Sequence, residues 1–190
     1  MAQQVISLKK NLNIPNLLTV LRIFLVPIIV AILLVEFDGR AFLALGLFLL
    51  ASLTDFIDGY LARKNNQITP LGILLDPIAD KLLISSSFIS LVALSLAPAW
   101  AVIILVGREI GVTGLRAIAA GEGMIMPASS LGKTKMFLEV LSIILLILSI
   151  RYNKLSAAGA LFLYLAVVFS LYSAGEYIIK FVKYFNNKEE

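Results

Sequence analysis

Cysteine and histidine are both absent from this chain of 190 residues. Without cysteine there is no disulfide, no thiolate metal site and no thiol nucleophile. Without histidine a transition-metal centre lacks its commonest ligand, and a general base must be Asp or Glu, less readily Lys or Tyr. Charged residues make up only 15% of the chain, which excludes an ordinary soluble surface. No P-loop signature is present, so a bound phosphate must be held by side chains or metal. No cleavable signal is expected, because residues 1–13 are polar and no small-residue cleavage site follows the first apolar run.

What fills the chain instead is apolar. Hydrophobic residues make up 60% of it, the mean hydropathy is +0.97, and runs of about 20 apolar residues recur. The pattern predicts an all-α polytopic membrane protein, a single membrane-embedded domain over residues 1–190. A polar leader, 1–13, reads as a short interfacial helix, and 180–190 as a mixed-charge tail. Six spans are expected, near residues 16–35, 41–61, 72–96, 101–120, 131–150 and 157–179. Trp100 falls at a turn, at interfacial depth. Lys9, Lys10, Arg63, Lys64, Lys133, Lys135, Lys180, Lys183 and Lys188 collect on one side, against Arg40, Arg151 and Lys154 on the other. The positive-inside rule then places both termini and the aspartate-bearing helix ends on the cytoplasmic side.

Four aspartates stand inside this apolar frame: Asp55, Asp58, Asp76 and Asp80. Carboxylates in hydrocarbon are costly and are therefore functional candidates with an expected partner. Asp55 and Asp58 share a helix face, as do Asp76 and Asp80. Gly59 and Ala62 lie one turn beyond Asp55 and Asp58, leaving a recess that admits a flat ring or a phosphate. Two like charges at 4 Å repel by roughly 4 kcal/mol at an effective dielectric near 20. Arg63 alone cannot balance four acids, so either several stay protonated or divalent cations hold them together; the metal reading is preferred, and oxygen-only ligands suit Mg²⁺ or Mn²⁺. Mg²⁺ favours a few carboxylates plus substrate phosphates, which points to phosphoryl transfer.

Basic residues form a second set. Arg108, Arg116, Lys133 and Lys135 map to the same half of the fourth and fifth spans and suit a phosphate; anchoring by positive charge is the competing reading for Lys133. Glu109 is expected to face away from Arg108. Gly107, Gly111 and Gly114 form a small-residue edge that suits helix packing or dimerisation. On the first span Asn16, Thr19 and Arg22 recur at i, i+3 and i+6. They read either as a cap plus a snorkelling arginine or as a strip facing a polar cavity.

The spacing Asp-x2-Asp-Gly-x2-Ala-Arg-x8-Gly-x3-Asp-x3-Asp, from Asp55 through Gly72 to Asp80, resembles the signature of the CDP-alcohol phosphatidyltransferase family, which makes phospholipids in membranes. The resemblance implies a six-helix bundle, commonly a homodimer in a bacterial cytoplasmic membrane, with a cytoplasm-facing site holding two divalent cations. Carried over by position, Asp55, Asp58, Asp76 and Asp80 become the metal ligands, with Asp80 also the general base. Gly59, Ala62 and Arg63 would lie against the CDP moiety, together with Asn16, Thr19, Asp58 and Gly72.

Pro15-Asn16-x2-Thr19-x2-Arg22, Arg108-Glu109-Ile110, Leu115-Arg116 and Gly132-Lys133-Thr134-Lys135 look like the branch whose acceptor is glycerol 3-phosphate. In that reading the primary hydroxyl of glycerol 3-phosphate, activated by Asp80, attacks the β-phosphorus of CDP-diacylglycerol, and CMP leaves. Arg116, Lys133 and Lys135, with Arg108, would hold the acceptor phosphate. Inositol phosphate is an alternative acceptor within the same chemistry. An intramembrane prenyltransferase and an ion- or proton-coupled transporter are the rival readings. Clustering of the acids at one membrane face, with phosphate-suited cations, speaks against the transporter.

Overall fold

Residues 14–64, 70–124, 126–127 and 129–189 are described by the computed structural model of this chain, side chains excepted at 14–15, 55–64, 70–71, 73–74, 130 and 187–189. Within them lie six long helices and one 3₁₀ turn, and no strand. The helices are α1 (Ile14–Leu34), α2 (Arg40–Lys64), α3 (Pro70–Ala93), α4 (Ala99–Gly121), α5 (Ser130–Ser149) and α6 (Ser156–Glu189), with the 3₁₀ turn Asn153–Leu155 before the last. They form two compact units, Met1–Ser90 and Leu91–Glu190.

In the first unit α1 packs along α2. Asn16, Thr19, Arg22, Val26, Ile29 and Leu33 are buried, a row of three- and four-residue steps that marks one face of a helix. Leu17, Leu21, Phe24 and Ile28, on the remaining surface, are exposed. The buried row of α2 is Ala41, Ala44, Phe48 and Ala51, mostly small side chains that let a neighbouring backbone approach. Gly39 turns the chain between them at φ +89, a left-handed conformation that a Cβ disfavours.

In the second unit α5 and α6 form an antiparallel pair, and α4 packs on α6. Buried in this unit are Leu138, Ser142, Ile143, Leu146 and Ile147 on α5 and Leu163, Ala166, Ser170, Ser173 and Tyr177 on α6. Gly159 is required there: a Cβ would fall 2.7 Å from Cδ2 of Leu146. Ser142 donates to the Gly159 carbonyl at 2.9 Å. The end of α4 is closed by a Schellman-type bond, Met124 N–H to the Ala119 carbonyl at 2.8 Å, with Gly123 at φ +81. Ala119, Met126 and Tyr177 then form a buried cluster with Val112, Leu115, Met124 and Phe181 around it. Trp100, at the start of α4, stacks on Tyr164 with ring centroids 5.7 Å apart.

Two expectations are corrected. The first helix begins at Ile14, so Asn16 is a buried position inside its first turn and not its cap. Arg22 is 0% exposed, which is incompatible with snorkelling to water. The mixed-charge segment after residue 179, for which no conformation was expected, continues α6 as helix to Glu189. Its aromatic residues explain this: Phe181 and Phe185, one turn apart, lie 4.6 Å apart by centroid, and the Tyr184 hydroxyl donates to the Glu122 carbonyl.

Polar and apolar residues are distributed inside out. Ser87, Ser90, Ser142, Ser149, Lys135 and Glu139 are buried while Phe24, Leu53, Ile103, Ile110, Phe137 and Val168 are more than half exposed. Among the described residues two helical stretches are long and apolar enough to cross a membrane, Asn16–Leu34 and Asn153–Asn186, and Arg40–Thr54 is a shorter apolar one. The other helices carry the aspartates and the basic set, which lowers their apolar content.

Candidate functional site

In the first unit the polar row of α1 meets the aspartate helix. The Thr19 hydroxyl, fully buried, donates to Oδ1 of Asp76 at 2.5 Å. A hydroxyl bonded to an ionised carboxylate is short and strong for its class. The bond fixes which way the Asp76 carboxylate points. Asp76 and Asp80 lie one turn apart on α3 and both are half-buried. Pro77, directly after Asp76, has no N–H and so cannot bond the carbonyl of residue 73. Gly72 is buried at the start of the same helix, as are Asn16 and Thr19 on α1.

Residues 55–63 are helical, so the backbone carries Asp55 and Asp58 one turn apart, as their spacing predicts. The side chains of Asp55, Asp58, Gly59, Ala62 and Arg63 lie outside the described residues. Among the described residues no three carboxylates gather into a metal-binding group, since half of the expected set falls on these positions. The donors of that set are oxygens throughout, which suits a hard divalent cation.

In the second unit Arg108 and Lys135 come together around one carboxylate. Arg108 Nη1 donates to Glu109 Oε2 at 3.2 Å, and Lys135 Nζ donates to the same oxygen. Lys135 also pairs with Glu139 Oε2 at 3.1 Å, one helical turn along α5. Arg108 is held from the other side by α6: Nε donates to the Ser170 carbonyl at 3.2 Å and Nη2 to the Ser173 hydroxyl at 2.8 Å. Two cations and two anions thus form a charge-balanced cluster, the arrangement that makes burial of ions tolerable.

This overturns one expectation. Adjacent helical residues diverge by about 100°, yet the long guanidinium reaches sideways to its neighbour Glu109. Glu139 was not anticipated at all, although Lys135 and Glu139 at i and i+4 are a readable pair. Arg116 and Lys133 are exposed. The structure therefore gathers Arg108 and Lys135 from the basic set and leaves those two at the surface.

The start of α5 is built next to this cluster. Ser129 caps the helix, its hydroxyl accepting from the Gly132 N–H at 3.1 Å. It also lies 3.2 Å from the Ser173 hydroxyl, the group that Arg108 bonds. The Ser129 N–H donates to the Tyr177 hydroxyl at 2.9 Å, and that hydroxyl donates to the Pro127 carbonyl at 3.1 Å. The loop before α5 is thereby fastened to α6.

Residues 12–172 match the family model described as CDP-alcohol phosphatidyltransferase. The chain is 44% identical over 182 residues to a Bacillus subtilis (strain 168) protein named CDP-diacylglycerol–glycerol-3-phosphate 3-phosphatidyltransferase, covering 88% of this chain and 94% of that one. A Rickettsia bellii (strain RML369-C) protein of the same name is 36% identical over 181 residues, covering 94% of this chain and 100% of its own.

Proposed function

The chain belongs to the CDP-alcohol phosphatidyltransferase family, and on that premise we propose that it transfers a phosphatidyl group from CDP-diacylglycerol to glycerol 3-phosphate. The products are phosphatidylglycerophosphate and CMP. The observation that carries this reading is the full Asp55–Asp80 signature, together with relatives of that printed name over nearly the whole chain.

The acceptor's primary hydroxyl forms a bond to the β-phosphorus, and the bond from that phosphorus to the CMP oxygen breaks. Asp80 takes the hydroxyl proton. Mg²⁺ or Mn²⁺, two ions in this reading, would be held by Asp55, Asp58, Asp76 and Asp80, and supplies neutralisation of the pyrophosphate charge when bound. Thr19 holds Asp76 in one orientation for that task. Asn16, Gly59, Ala62, Arg63 and Gly72 are assigned to the CDP moiety. Arg108, Arg116, Lys133 and Lys135 are assigned to the acceptor phosphate, which favours a phosphorylated acceptor over serine or a neutral alcohol.

The inside-out distribution supports membrane embedding, with the exposed apolar faces against lipid and six crossings. Loop charge supports a cytoplasm-facing site in a bacterial cytoplasmic membrane, and the family resemblance a homodimer. The test is Asp55→Asn and Asp76→Asn. Each abolishes CMP release while far-UV circular dichroism and monodispersity stay unchanged. A fully active variant removes that residue from the site.

A further inference from the structure

The cluster around Glu109 is asymmetric in a way that its charge balance does not require. One oxygen, Glu109 Oε2, serves both Arg108 and Lys135. Glu139, the second carboxylate, contacts Lys135 from within the fold. The Glu109 side chain is 27% exposed and that of Glu139 4%. The shared carboxylate is thus the one that water, and any small anion, can reach.

Each cation also has partners other than Glu109. Arg108 keeps the Ser170 carbonyl and the Ser173 hydroxyl, and Lys135 keeps Glu139. Removing the Glu109 carboxylate from between them would leave two fixed donors aimed at a common point. Arg and Lys donors that satisfy a carboxylate also satisfy a phosphate, whose extra charge and third oxygen make it the stronger partner.

We propose that Glu109 is an internal stand-in for the acceptor's phosphate. Its carboxylate holds Arg108 and Lys135 in register in the substrate-free protein and cedes them when a phosphate monoester arrives. This rests on the assignment of those two cations to the acceptor phosphate. It also gives a basis for selectivity. A neutral alcohol or an amino acid offers no phosphate to displace Glu109, so the pair stays closed to it. Glu109 acts through Arg108 and Lys135 and is a positioning residue, while Glu139 is the counter-charge that remains.

The experiment is titration of inorganic phosphate, then of glycerol 3-phosphate, into the purified full chain in detergent by calorimetry. Wild type is compared with Glu109→Gln and with Glu176→Gln, which removes a half-buried charge elsewhere on α6. Losing a competing charge-assisted bond tightens phosphate binding to Glu109→Gln by about tenfold, and Glu176→Gln stays near wild type. In turnover, KM for glycerol 3-phosphate falls in Glu109→Gln while KM for CDP-diacylglycerol is unchanged. Unchanged or weaker phosphate binding in Glu109→Gln overturns the proposal, and so does equal tightening in both variants, which would be bulk charge. If Glu109→Gln is not monodisperse, Glu109→Asp replaces it: the shorter carboxylate reaches the pair less well, and the same direction of change is required. Failure of wild type to release CMP with glycerol 3-phosphate would refute the acceptor reading, whereas the phosphate titration decides on Glu109 by itself.

Discussion

The hydroxyl of Thr19 on α1 donates to Oδ1 of Asp76 on α3, at 2.5 Å and across 57 residues of sequence. A buried threonine thereby orients an aspartate of the family signature. The same helix face that ends in Val26, Ile29 and Leu33 begins in Asn16, Thr19 and Arg22, so packing and chemistry share one row of α1.

Replacing Thr19 by Val keeps the shape and removes the donor. A hydrogen bond to a charged group contributes about 1.5–3 kcal/mol, so the rate of CMP release falls by roughly tenfold or more. Thr19→Ser retains the hydroxyl and stays within a few-fold of wild type. Equal activity of the Val and wild-type proteins would show that Asp76 needs no such support.

Arg116→Ala raises KM for glycerol 3-phosphate by about tenfold, the loss of one charged hydrogen bond. KM for CDP-diacylglycerol stays near its wild-type value, since the nucleotide is assigned to the aspartate side. Steady-state kinetics with each substrate varied in turn checks this. A rise confined to CDP-diacylglycerol would reassign Arg116.

Gly159→Ala places a methyl group 2.7 Å from Cδ2 of Leu146 and 3.1 Å from its backbone nitrogen. A rotamer change at Leu146 relieves the first contact and not the second. Overpacking of this kind costs about 1–3 kcal/mol, so thermal unfolding in detergent shifts down by several degrees. Turnover per folded molecule, measured well below the transition, is unaffected.

Tyr177→Phe leaves the Ser129 N–H and the Pro127 carbonyl without the hydroxyl that serves both. Both bonds are only part-buried, so their loss costs the net value of a neutral hydrogen bond, about 1 kcal/mol. The variant melts lower than wild type, and hydrogen exchange at the Ser129 amide speeds up. Unchanged exchange there would mean that the loop before α5 is held by other contacts.

Much of this was legible where the information is local. The spacing of Asn16, Thr19 and Arg22 puts them on one helix face but left open whether that face turns inward, which their burial settles, and helices α1 to α5 begin and end within a few residues of the apolar runs that announce them. Lys135 and Glu139 were readable in the same way. What spacing does not encode is reach across helices: nothing in the sequence joins Thr19 to Asp76 or seats Arg108 against Ser170 and Ser173. The Arg108–Glu109 contact was hidden because helical geometry separates neighbours, while a guanidinium on three methylenes is long enough to return. The helical end of α6 was hidden by composition. Its lysines read as part of a mixed-charge tail, and the tilted ring contact of Phe181 with Phe185 and the bond from Tyr184 to Glu122 hold it in place.

The most direct test supplies the purified chain, in lipid nanodiscs, with CDP-diacylglycerol, Mg²⁺ or Mn²⁺, and one acceptor at a time: glycerol 3-phosphate, inositol phosphate, inositol or serine. CMP is quantified, and the lipid product is identified by mass spectrometry. The account predicts phosphatidylglycerophosphate and CMP in equal amounts with glycerol 3-phosphate, and no product without a divalent cation. CMP released with a different acceptor, or none from a folded preparation, would contradict it.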